Sequence, residues 1–167
     1  MKNFLFIFCL HILSFSFAQD INSAKKEALN FALEIVKSYF TENCDFFYNS
    51  FSNELISLED QESFNRSELG DYEEICDFLK RAIKDKNKTF QDYLDAYSTE
   101  ILTYEELVKY IKKELDNEIP PNPLIEKDDL IFVGWKLKNT DVENFIFDDM
   151  FVFILRKENN KWVIKGA

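Results

Sequence analysis

Phe151-Val152-Phe153-Ile154-Leu155-Arg156-Lys157-Glu158-Asn159-Asn160-Lys161-Trp162-Val163-Ile164-Lys165-Gly166 closes the chain. Side chains alternate between the two faces of a strand, so five apolar residues in a row imply a strand covered on both sides. Asparagine tolerates left-handed backbone, which makes Asn159-Asn160 the turn into a second strand around Trp162-Val163-Ile164. Upstream, Ile131, Val133, Trp135 and Leu137 alternate with Phe132, Gly134, Lys136 and Lys138. That period of two predicts a strand with one buried face. The three strands, the middle one running from Phe145 to Arg156, form an antiparallel meander.

Before the meander the period is helical. Pro120-Pro121-Asn122-Pro123 ends this part, because each proline lacks an amide donor and fixes φ. Five helices are expected ahead of it. The first spans Ser23 to Phe40 on an Ala28, Ala32, Ile35, Val36, Tyr39 stripe, and the second spans Cys44 to Leu58 on Phe47, Phe51, Leu55 and Leu58. Glu59 to Leu69 is polar and reads as a loop. Tyr72 to Lys84 is the most regular helix, with Tyr72, Ile75, Cys76, Leu79, Ala82 and Ile83 on one face. Thr89 with Asp92, and Thr103 with Glu106, resemble capping boxes, the first opening a helix through Tyr97 and the second one through Leu115.

The two ends of the chain resemble NTF2-like, cystatin-related domains. The resemblance rests on the Ala28-Leu29-Asn30-Phe31-Ala32 helix, the break at Thr41-Glu42-Asn43-Cys44-Asp45, the following Phe46 to Leu58 stretch, and the closing hairpin with its Lys-Trp-x-Ile strand. It implies a helical layer packed into a strongly curved sheet, with a cone-shaped cavity between them. The expected fold is therefore α+β, N-terminal helices on a curved C-terminal antiparallel sheet. A helical bundle with a small three-stranded meander is the alternative.

Residues 1–18 read as an export signal. Lys2 gives a positive start, Phe4 to Leu13 is apolar apart from His11, and Ser16-Phe17-Ala18 puts small residues at a cut before Gln19. Residues 19–167 then form a single domain, secreted or periplasmic, without stable membrane insertion. His11 is the only histidine, so its removal with the leader excludes histidine-based triads, general bases and metal ligands. No cofactor or metal is expected. Cys44 and Cys76 remain in an oxidising destination. They either pair, closing a loop of about 33 residues worth ~3.5–4 kcal/mol, or stay as buried free thiols.

The formal net charge is −11, which disfavours nucleic acid and anionic membranes. Between Glu59 and Asp77, Glu59, Asp60, Glu62, Glu68, Asp71, Glu73, Glu74 and Asp77 face only Arg66. This stretch is a solvated acidic face or a docking surface for a basic partner.

No Gly-x-Ser-x-Gly elbow, phosphate loop, Cys-x-x-Cys pair or calcium loop occurs in the sequence. Asp149 shares a strand face with Phe145, Phe147, Phe151 and Phe153; if that row lines a cavity, desolvation would raise its pKa and suit it to proton transfer. The same Asp148-Asp149 pair also fits a solvated strand end. Trp135 serves as core or as pocket wall. The candidate pocket residues are thus Trp135, Phe147, Asp149 and Phe151. The leading expectation is a non-catalytic exported domain that holds an apolar ligand or a protein partner, with a homodimer through the sheet as one form. The rivals are a periplasmic inhibitor or immunity-type protein for a basic partner, and a cavity enzyme with Asp149 as base.

Overall fold

The computed structural model describes residues 2–57, 60–83, 86–114, 121–137 and 150–166. The fold is α+β: helices α1 (Lys2–Thr41), α2 (Cys44–Asn49), α3 (Tyr72–Ala82) and α4 (Phe90–Ala96) lie with a six-stranded, mostly antiparallel open sheet. The strands are β1 (Phe51–Ile56), β2 (Ser63–Asn65), β3 (Tyr97–Thr103), β4 (Leu130–Lys136), β5 (Met150–Glu158) and β6 (Lys161–Gly166), in the spatial order β2-β1-β6-β5-β4-β3. Every neighbouring pair is antiparallel except β1 with β6.

The expected meander is present as β4, β5 and β6. Asn159 and Asn160 hold φ at 49° and 62°, the left-handed pair that a two-residue hairpin turn needs. One expectation for β4 is corrected. Its two faces are both buried, because Phe132 and Leu130 pack under the helices while Ile131 and Val133 pack on the other side against α5 (Tyr104–Glu114).

Three further strands replace residues expected elsewhere. The helix expected through Leu58 stops at Asn49, and Phe51–Ile56 is β1. The 4,4,3 spacing of Phe47, Phe51, Leu55 and Leu58 fits a helix, but the open edge of β6 offers ladder hydrogen bonds that this segment takes up in parallel register. The expected Glu59 to Leu69 loop contains β2 and a 3-10 turn, Arg66–Leu69. Tyr97 leaves α4 to begin β3, whose seven residues pair in unbroken register with β4. The capping boxes at Thr89 and Thr103 do open helices: Asp92 and Glu106 carboxylates accept the Thr89 and Thr103 backbone N–H, and each threonine oxygen accepts an N–H in return.

Two apolar clusters sandwich the sheet. On one face Ala28, Ala32, Ile35, Val36 and Tyr39 of α1 meet Leu130, Phe132, Phe153, Leu155 and Ile164. The alanines bring α1 close to the sheet. On the other, Leu107 and Ile111 of α5 cover Ile131, Val133 and Ile154. Cys44 and Cys76 are bonded to each other, so the start of α2 is fixed to the middle of α3. Among the described residues no helix is long and apolar enough to cross a membrane.

Candidate functional site

A cavity of about 460 Å³ lies between the sheet and the α2–α3 pair. Its floor is Phe51 and Leu55 of β1, Phe64 of β2, Phe153 of β5, and Ile164 and Gly166 of β6. Phe47 of α2, Leu69 of the 3-10 turn, and Glu74, Ile75 and Phe78 of α3 form the opposite wall. The floor residues reach it because β1 switches side-chain direction at each step, sending Phe51 and Leu55 inward and Ser52 to the opposite face, where its Oγ donates to Glu158 Oε1 at 2.9 Å.

Aromatic contacts fix the inner wall. Phe47 meets Phe51 edge to face at 5.1 Å and Tyr39 at 4.9 Å between ring centroids. Tyr39 is buried among these rings, and burial pushes its phenol pKa well up, so it stays neutral. The mouth is apolar too: Leu69 is 43% exposed and Phe78 50%. Apolar side chains of this size at an open rim are the informative exception to burial. The Cys44–Cys76 bond sits one residue from Ile75 and holds the α2 and α3 walls together.

One carboxylate lines the cavity, and local backbone chemistry places it. Asp71 caps α3, its Oδ1 accepting the N–H of Glu73 at 2.9 Å and of Glu74 at 3.0 Å. Glu74 folds back so that its Oε2 accepts the Asp71 N–H at 3.0 Å. Gly70 makes room for this return. Its φ is +120°, and a Cβ there would come within 2.7 Å of Glu74 Oε2.

Arg66 directs its guanidinium to the Tyr48 and Phe51 carbonyl oxygens and over the Tyr48 ring, 4.6 Å from its centre. Among the described residues, no cluster of histidine, cysteine, aspartate and glutamate has a geometry suited to a metal ion.

The pocket candidates from sequence are scattered. Trp135 lies on the far side of the sheet, its ring 4.2 Å from that of Tyr110 of α5. Phe151 lies on the helix side but across Gly134, its partner in the β4–β5 ladder. A Cβ on Gly134 would come within 2.1 Å of the Phe151 ring, so the glycine is the seat that the ring occupies. From there Phe151 packs on Tyr93, Tyr97, Phe132 and Phe153. Phe147 and Asp149, with Phe145, lie outside the described residues. Of the phenylalanine row, Phe153 reaches the cavity. Phe51, Leu55, Phe64 and Leu69 were missed as wall residues because they fall in the expected second helix and loop. The available signal was Phe64 and Leu69, two large apolar residues in a stretch otherwise polar.

Comparison with known protein families, with curated proteins and with solved structures finds no match to this chain.

Proposed function

We propose that this is an exported binding domain whose cavity takes a small apolar molecule. The observation that carries the reading is the cavity wall: five phenylalanines together with Leu55, Leu69, Ile75 and Ile164, against one carboxylate, at a volume typical of small-molecule sites. Binding is favoured over turnover because Glu74, the one ionisable wall residue among those described, already takes part in capping a helix. The Cys44–Cys76 bond supports an oxidising destination. The NTF2-like resemblance is supported by α1 to α4 packed on one face of a sheet in which β1 runs parallel to β6, with α5 on the other face, and by a cavity lying between the sheet and the α2–α3 pair.

Calorimetric titration with decanol is expected to give one site per chain. Replacing the rim residues, Phe78→Ala and Leu69→Ala, should weaken it by about tenfold together through lost apolar contact. Both residues are exposed enough to leave the fold intact. A lack of any saturable heat with decanol and with its longer and shorter homologues would refute the reading.

A further inference from the structure

Among the described residues, the cavity wall carries one charged side chain, Glu74. Resting on the reading of the cavity as a ligand site, we propose that the natural ligand is a cationic amphiphile, an alkylammonium whose chain fills the cavity and whose charged end meets Glu74. Three observations converge. Among the described residues Glu74 is the only charged side chain on the wall, and its carboxylate is held there by accepting the Asp71 N–H and by the space over Gly70. That bond uses one of roughly four acceptor positions on a carboxylate, so the group can still accept an N–H from a ligand.

Second, among the described residues the wall offers no cation to an anionic head. Arg66, the one basic residue of the 59–77 stretch, is turned to backbone carbonyls and the Tyr48 ring. A carboxylate or phosphate entering the mouth would instead meet Glu74 with exposed Glu68, Asp71 and Glu73 nearby in sequence. Third, Phe47, Phe51 and Phe78 line the cavity, and aromatic rings attract an ammonium as well as an alkyl chain.

The test is a matched series on the purified protein: decylammonium, decanol and decanoate, titrated by calorimetry at fixed physiological ionic strength. Decylammonium should bind tightest and decanoate weakest. Glu74→Gln keeps a carbonyl oxygen for the Asp71 N–H while removing the charge. It should weaken decylammonium by about five- to tenfold and leave decanol unchanged, the size expected of a partly exposed ion pair. Asp128→Asn deletes an equal charge from an exposed loop residue after the second apolar cluster's Ile125, and should change neither. If decanol binds but decanoate equals or exceeds decylammonium, or if Glu74→Gln leaves decylammonium affinity intact, the head-group assignment is wrong and the cavity reading survives. If none of the three binds, the cavity reading fails and takes the assignment with it. Should Glu74→Gln not fold, the head-group order on the unaltered protein decides.

Discussion

Two adjacent acids, Asp128 and Asp129, have opposite fates, and the difference is a single arginine. Asp128 is exposed, whereas Asp129 is 1% exposed and held by Arg156, whose Nε donates to Oδ1 and whose Nη2 donates to Oδ2, each at 2.7 Å. The Glu126 N–H adds a third bond to Asp129 at 2.8 Å. Arg156 also donates to the Leu124 carbonyl, so the pair pins the 121–129 loop to β5. The carboxylate beside it raises the arginine pKa further, and the guanidinium is charged at any relevant pH. Arg156→Met should cost about 3–5 kcal/mol, because it strands a buried carboxylate rather than because the pair itself is worth that much. Arg156→Lys should recover only part, since an ammonium cannot make the two parallel bonds. Urea unfolding at neutral pH measures both; a loss under about 1 kcal/mol for Arg156→Met would place Asp129 in contact with water.

At the scale of elements, the disulfide decides how well the cavity wall holds its position. α2 has six residues and α3 eleven, too short to be stable alone, and the bond joins them. Replacing Cys44 and Cys76 together by alanine should lower unfolding free energy by ~3.5–4 kcal/mol in the chain-entropy account. Decanol affinity should fall as well, because the Phe47 and Phe78 walls are no longer tied. A double variant with unchanged affinity would mean that packing alone sets the wall.

What the sequence made legible follows from how local each signal is. The start of α3 at Tyr72, the α4 and α5 boxes and the Asn159-Asn160 turn depend on neighbours within four residues, and each is where the pattern puts it. β1, β2 and β3 depend on partners far along the chain: Phe51 pairs with Ile164 and Ser98 with Trp135. Their residues carried weak helical spacing or none, and tertiary pairing overrode it. The cavity was illegible for the same reason, since half of its floor comes from those strands. Only its existence between layers was foreseen, through the resemblance to a cone-shaped fold.

For the whole molecule, α1 is the element that acid should release. Among the described residues, three ion pairs bind it to other parts: Lys25 to Glu106 of α5 at 2.7 Å, Glu27 to Lys157 of β5 at 2.9 Å, and Glu42, just past its end, to Lys86 at 2.7 Å. The hydrogen bond and charge of Lys157 hold the Glu27 carboxyl below its usual range, and Lys86 does the same for Glu42. Burial pushes Glu106 up, but bonds from Lys25 and Thr103 outweigh it and leave a net lowering. A carboxyl lowered in the folded state binds fewer protons there than in the unfolded chain. Its stabilisation is therefore complete above the ordinary value of 4.5 and disappears as pH falls through the lower folded value. Melting temperature should stay level from pH 7 to about 5 and fall below that.

Lys157→Met isolates one of these links. Lys157 also lies over the Trp162 ring at 5.7 Å, and methionine keeps an apolar, polarisable contact with that ring while removing the charge. The variant should melt below the unaltered protein at pH 7, and the gap should close as Glu27 protonates. A gap that stays constant down to pH 3 would assign the role of Lys157 to packing on Trp162 and not to its pairing with α1.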